Sequence, residues 1–176
     1  MEDAKYWIWF SRIENLAPKK LIELLINFKN PKVLFNKTKE ELILSGIKEQ
    51  DADKITNIKY KCNLDKYLEY IKKNNIELLT IYDNEYPKKL KEIYDPPVVL
   101  YVKGNKTILK EKSIAMVGCR ICTKYGENVA KNIAYNLSIN NINIISGLAK
   151  GIDTYSHIGC IKGNAKTIAV VRMWIR

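Results

Sequence analysis

Residues 113–171 decide the fold: Ser113-Ile114-Ala115-Met116-Val117-Gly118-Cys119-Arg120, a helical stretch from Tyr125 to Leu137, Ile142-Asn143-Ile144-Ile145-Ser146-Gly147-Leu148-Ala149-Lys150-Gly151-Ile152-Asp153, and Thr167-Ile168-Ala169-Val170-Val171. Short β-branched runs alternate here with segments of helical period. The pattern predicts strands at Ser113–Val117, Ile142–Ile145 and Thr167–Val171, with helices at Tyr125–Leu137 and Ile152–Ile161. Strands joined by crossover helices at this spacing build right-handed βαβ units and a parallel sheet. In the first helix Val129, Ile133 and Leu137 recur every fourth residue and predict the buried face, with Ala130 and Ala134 beside them for close packing.

Upstream the texture differs. Trp7 and Phe10 open an aromatic segment, and Pro18 starts a helix carrying Leu21, Leu24, Leu25 and Phe28. Thr38 with Glu41 forms a capping box ahead of Leu42 and Leu44, Ser45-Gly46-Ile47 makes a turn, and a further helix runs through Ile55 and Ile58. From about Asp65 a helix (Tyr67 to Asn74), an apolar run (Leu78 to Ile81), a proline-punctuated stretch and a strand at Val98 to Val102 lead to Gly104. The expected architecture is α/β: a small helical domain (1–64), like a SAM or helix-hairpin-helix bundle, followed by a Rossmann-like parallel-sheet domain (65–176).

Charge narrows the partners. Thirty Lys and Arg against 19 Asp and Glu give a formal net charge of +11, which favours polyanions such as nucleic acid or acidic membrane surfaces. Residues 1–65 hold 12 basic and 10 acidic side chains, residues 66–176 hold 18 and 9, so the excess sits in the second part. The acidic start, Met1-Glu2-Asp3, is unlike a secretory signal, and no apolar run approaches the roughly 18 residues a bilayer span requires. A cytoplasmic location with no membrane partner is expected, and with it reduced cysteines.

In doubly wound sheets ligands bind beyond the carboxyl ends of the strands, where helix N-termini present unpaired N–H groups and a positive dipole end. Two loops hold that position. In Val117-Gly118-Cys119-Arg120 the glycine permits a tight turn and the guanidinium can fork two donors onto a phosphate. Ser146-Gly147-Leu148-Ala149-Lys150-Gly151 adds small residues and a cation. Leaving adjacent parallel strands, the loops should lie side by side.

A longer series of residues then reaches a family. Tyr86-Pro87-x-x-Leu90, Asp95-Pro96-Pro97-x-x-Leu100-Tyr101-x-x-Gly104, Ile114-Ala115-Met116-Val117-Gly118-Cys119-Arg120, Tyr125-Gly126, Ser146-Gly147-Leu148-Ala149-x-Gly151-Ile152-Asp153, His157, Gly163 and Thr167-Ile168-Ala169-Val170 closely resemble the DNA processing protein A (DprA/Smf) family. The likeness is dense over about residues 80–171 and loose before them. It implies a Rossmann-like protein that holds single-stranded DNA in a basic pocket, helps load RecA recombinase during natural transformation and forms a homodimer. By position, Arg120 matches the arginine of the family's Val-Gly-Ser-Arg motif and is the expected phosphate contact. The resemblance implies backbone amides from Gly118, Ser146, Gly147 and Gly151. Lys150, Lys162 and Lys166 are candidates for the rim on charge and expected location, and Tyr125 or Tyr155 for base stacking.

Departures from the pattern carry their own expectations. Cys119 replaces the usual serine and creates Cys119-Arg120-Ile121-Cys122, a C-x-x-C placed after a strand as in thioredoxin-like redox sites. Zinc would need further soft ligands from Cys62, Cys160 and His157, with no second C-x-x-C to supply them. Small buried cysteines and no metal are expected. Asp153 and His157 share a helical face, and a backbone cap and a local hydrogen bond are the expected roles; no nucleophile pattern accompanies them, so no catalytic residue or cofactor is assigned. Asn15-Leu16-Ala17-Pro18 lacks the glycine-bearing hairpin of DNA-gripping helix-hairpin-helix motifs.

After Val171 the family pattern continues with a glycine turn, further strands and the dimer surface, whereas this chain reads Arg172-Met173-Trp174-Ile175-Arg176. Back-translated with AT-rich codons and shifted by one base, these residues become Glu-Cys-Gly-Leu, near the expected continuation. A frameshift after Val171, an incomplete sheet and impaired dimerisation are therefore expected. Two other classes fit the residues: a Rossmann-like hydrolase or transferase acting on nucleotide derivatives, and a non-functional remnant. The Pro-Gly-Gly-x-Gly-Thr loop of the lysine-decarboxylase-like phosphoribohydrolases is absent from the sequence.

Overall fold

The computed structural model describes residues 3–13, 16, 18–61 and 63–171. Asn15, Ala17, Cys62 and the segment from Arg172 to Arg176 lie outside the described residues. In chain order the elements are α1 (Ala4–Ser11), α2 (Pro18–Phe28), α3 (Pro31–Asn36), α4 (Lys39–Leu44), α5 (Glu49–Lys61), α6 (Leu64–Lys73), β1 (Ile76–Thr80), α7 (Lys88–Lys91), β2 (Val99–Lys103), a 3-10 turn (Lys106–Lys110), β3 (Ser113–Ala115), α8 (Lys124–Ile139), β4 (Asn143–Ser146), α9 (Ile152–Lys162) and β5 (Thr167–Ala169). Two compact units result, Met1–Lys106 and Thr107–Arg176.

In the first unit short helices are fixed by their caps. The Asn30 side chain accepts the Lys32 amide at 2.8 Å, Thr38 and Glu41 close the expected capping box at 3.2 and 2.8 Å, and Asn63 accepts the Lys66 amide at 3.1 Å. The Asn63 cap starts α6 three residues before Tyr67, where the apolar spacing alone put it. Trp9, Phe10, Leu25, Leu34, Leu42 and Ile55 form the core. Val98 and Val99 join it, so the antiparallel β1–β2 pair, in register from Ile76 opposite Lys103 to Thr80 opposite Val99, belongs with the helices. Helices continue across Asp65 as α5 and α6, the first strand begins only at Ile76, and the break between compact units comes at Lys106. Tyr86, 1% exposed, donates its hydroxyl to the Pro97 carbonyl at 2.6 Å, and burial pushes its pKa up to about 12.

The second unit is a parallel sheet ordered β3-β4-β5, pairing Ser113 with Asn143, Ile114 with Ile144, and Ile145 with Ile168. The expected α/β class with helices ahead of a parallel sheet is what the chain adopts. Ile144, fully buried, clusters with Ala134 of α8 and Cys160 of α9, so both helices cover the same face. The two helices touch through small residues. Ala130, Ala134 and Ser138 are the buried positions of α8, whereas Ile133 is 48% exposed. Of the expected aliphatic face Val129 is half-buried and Leu137 packs against the cluster, while Ile133 is turned away from the α9 contact for a steric reason: a Cβ on Gly159 would stand 2.3 Å from the Lys131 carbonyl and 2.9 Å from the Ala134 Cβ. Branched side chains do not fit so narrow a gap. Ser138 locks it by donating to the Cys160 carbonyl at 2.6 Å and accepting the Ala165 amide at 2.8 Å.

In an open helix, Gly159→Ala would stabilise by about 1 kcal/mol. Here the added methyl must push α8 from α9, and the expected effect is the reverse, a loss of about 1–3 kcal/mol. Chemical or thermal unfolding followed by circular dichroism measures it; a midpoint above that of the parent chain would contradict this account of the helix contact.

Candidate nucleic-acid interface

The loops leaving β3 and β4 are joined backbone to backbone. The Ile152 amide donates to the Cys119 carbonyl at 3.1 Å. Gly151 sits at φ 82° and ψ −133°, and a Cβ there would lie 2.2 Å from the Cys119 oxygen and 2.6 Å from the Arg120 oxygen. Only a residue without a side chain serves both demands. Gly118 meets the other side of the same junction, where its missing Cβ leaves room for the Ile152 side chain. At the strand ends the Ser146 hydroxyl donates to the Met116 carbonyl at 2.7 Å.

The 146–151 loop satisfies much of its own polarity. Asp153, 7% exposed in the first turn of α9, accepts the Gly147 amide at 3.1 Å, and the Thr154 hydroxyl donates to the Ala149 carbonyl at 2.7 Å. The Asp153 carboxylate thus ties the loop to the first turn of α9 from within. Gly147 and Gly151 were expected to offer amides to a phosphate; the first gives its amide to Asp153, and the second serves as the close contact between loops. Asp153 was expected to cap the backbone at the helix start, and the amide it takes is that of Gly147 in the preceding loop. Leu148 is held at φ 57° and is 61% exposed, a conformation costly for a residue with a Cβ.

Cations remain for anion recognition. Arg120 and Lys150 are exposed, one on each loop, and neither forms an ion pair among the described residues. Lys162 and Lys166 are elsewhere. Lys162 ends α9, and Lys166 precedes β5, where its ammonium meets Glu111 at 2.8 Å and its backbone amide donates to the Asn143 side chain at 2.9 Å. Both belong to the amino end of the strands, because in a parallel sheet the loop that follows a helix returns to the end opposite the loop that precedes it. The Glu111 carboxyl is held low by that lysine and by Asn143.

Tyr125, in the first turn of α8, is 77% exposed. Tyr155 is engaged instead: its hydroxyl bonds Glu127, which raises its pKa, and the Lys131 ammonium lies 4.5 Å from its ring centre. The cysteines depart from expectation. Cys160 is buried and its thiol faces the Lys166 carbonyl, but Cys119 is exposed and Cys122 half-buried, since the 118–123 loop runs along the surface. Among the described residues no three His, Cys, Asp or Glu side chains gather as a metal-ligand set, and no helix is long and apolar enough to cross a membrane. The first unit has a cleft of about 250 Å³ lined by Ser11, Leu16, Leu21 and residues 95–99, whose one charged side chain, Asp95, is of the wrong sign for a polyanion.

His157 has a fixed tautomer. Thr167 spends its hydroxyl proton on the Ile144 carbonyl at 3.0 Å, so at 2.5 Å from His157 Nδ1 it accepts, and Nδ1 carries the ring proton. Nε2 is buried with no partner among the described residues, and burial lowers the imidazole pKa below 6.5 against the opposing pull of Asp153. Protonation is therefore easier in the unfolded chain. The stability this neutral ring lends is complete above about pH 6.5 and is lost as pH falls from there through the folded-state value. Denaturant midpoints between about pH 7 and pH 5 should fall, and His157→Asn should flatten the dependence; an equal slope in that variant would assign the acid sensitivity to other groups.

A family model described as DNA recombination-mediator protein A matches residues 77–174, more than half of the chain. A DNA processing protein DprA of Streptococcus pneumoniae is 46% identical over 92 residues, covering 52% of this chain and 32% of that protein. A protein Smf of Synechocystis is 31% identical over 177 residues, covering 96% of this chain and 44% of the relative. The X-ray structure of DNA processing protein A from Streptococcus pneumoniae matches with a TM-score of 0.73 and 30% identity, over 95% of this chain and 57% of that one. The chain thus spans less than half the length of these two curated relatives. The ordered residues from Tyr86 to Val170, the two loops locked at the carboxyl ends of a parallel sheet and these matches lead to one conclusion: the chain belongs to the DNA recombination-mediator protein A (DprA/Smf) family.

Proposed function

We propose that this chain is a DNA processing protein whose second unit binds the sugar–phosphate backbone of single-stranded DNA across the carboxyl ends of β3 and β4. One observation carries the reading: Arg120 and Lys150 stand exposed on two loops locked side by side, with no ion pair among the described residues. A guanidinium free of carboxylates presents a planar fork of donors that matches phosphate oxygens. The exposed Tyr125 ring, in the first turn of α8 directly after the arginine loop, offers a stacking surface that tolerates any base. Ten basic and three acidic side chains in residues 107–176 add long-range attraction.

Support for DNA as the polyanion comes from relatives named for DNA processing and from a family described as a recombination mediator. In the proposed role, strand held on this face is protected and then passed to RecA recombinase. Lys162 and Lys166, at the opposite end of the sheet, take no part in the primary contact.

Oligo-dT binding by the 176-residue chain should weaken steeply between about 50 and about 200 mM salt, as condensed counterions are released. Arg120→Ala should weaken binding about tenfold and lower the log–log salt slope by about 0.7, the value of one phosphate contact on a single strand. Lys166→Ala should change neither by more than about twofold. Equal losses in both variants would point to diffuse attraction without a located site, and salt-insensitive binding, or none, would sink the reading.

A further inference from the structure

We propose that Cys119 and Cys122 are a modifiable dithiol, closed by a hydroperoxide into an intramolecular disulfide that straddles Arg120. Its influence on DNA rests on the reading above; the disulfide itself does not. Both thiols are free, Cys119 exposed and Cys122 half-buried, and the chain bends at both residues between them, Arg120 and Ile121. Successive bends draw residues three apart together, toward the separation of about 4.4–6.8 Å between Cα atoms that a disulfide spans. Cys160 does not compete, since it is buried under α8 with its thiol toward the Lys166 carbonyl at the amino end of the sheet.

Local anchoring turns such a bond into a directed change. On one side the Cys119 carbonyl is held by the Ile152 amide and pressed by Gly151. On the other, Thr123 caps α8 by accepting the Gly126 amide at 3.2 Å. The segment left to adjust carries Arg120 and Ile121, the latter 93% exposed. Closing the bridge therefore re-aims the guanidinium while the sheet and both helices stay in place.

The chemistry balances with peroxide as the oxidant. The accessible Cys119 thiolate, having lost its proton to solvent, attacks one peroxide oxygen; the S–O bond forms, the O–O bond breaks, and hydroxide leaves as water. Cys122 then attacks the Cys119 sulfur, the S–S bond forms, the S–O bond breaks, and a second water departs with the Cys122 proton. Two thiols lose two electrons and one peroxide becomes two waters.

The test treats the reduced full chain with hydrogen peroxide and maps its peptides without reduction. The expected result is a peptide spanning Cys119 and Cys122 that is lighter by two hydrogens, resists alkylation, is restored by dithiothreitol and is lost in Cys119→Ser and in Cys122→Ser. Oxidised chain should bind oligo-dT about tenfold more weakly than reduced chain, the loss expected when one charge-assisted contact is misdirected. Two alkylatable thiols after peroxide, or dimers linked through Cys119, overturn the dithiol. A disulfide that leaves affinity unchanged overturns its control of binding. Reduced chain that binds no oligonucleotide overturns the DNA reading, and the peptide masses still decide the dithiol.

Discussion

The amide of Ile152 donating to the carbonyl of Cys119, with Gly151 pressed against the neighbouring carbonyls, is the contact on which the second unit turns. It fixes where α9 begins, and so the register in which α9 meets α8 through Gly159. It also fixes the loop after β3 against the loop after β4. Separately each loop is an ordinary strand-to-helix turn; locked together they carry Arg120 and Lys150 on one rim. A φ of 82° and a 2.2 Å approach by the absent Cβ explain why position 151 has no tolerance for a side chain.

Charge at the two ends of the sheet is handled differently. The three acidic side chains of residues 107–176 are all engaged, Glu111 by Lys166 and Asn143, Glu127 by Lys124, and Asp153 by the Gly147 amide. At the amino end an ion pair meets solvent and contributes little. At the carboxyl end Asp153 ties the loop to α9 from within by taking the Gly147 amide. In the proposed function, contact with a polyanion falls to side chains, above all the arginine, whose fork geometry a lysine does not reproduce.

Much of this was legible in the residues. The alternation from Ser113 to Val171 has a period that neither a helical bundle nor an all-β fold produces, and it located β3, α8, β4, α9 and β5 to within two residues at every boundary. The capping box at Thr38 and Glu41 was readable because capping is local chemistry. What escaped depended on distance in space. Ile133 points outward because Gly159, 26 positions later, sets the helix gap; β1 and β2 join the first unit because Val98 and Val99 fill a core begun at Trp9. Lys166 read as a rim candidate by charge and expected location, and the direction of the strand after it puts it at the other end. The surface course of the Cys119–Cys122 loop likewise follows from packing around Gly118 and Ile152.

The central claim is that the carboxyl-end rim is where nucleic acid touches the chain. Ultraviolet cross-linking of oligo-dT to the full chain, followed by peptide mapping, tests it most directly. The account places the adducts in peptides carrying Arg120, Tyr125 and Lys150. Adducts confined to peptides carrying Lys110, Lys162 and Lys166, at the amino end of the strands, would contradict it.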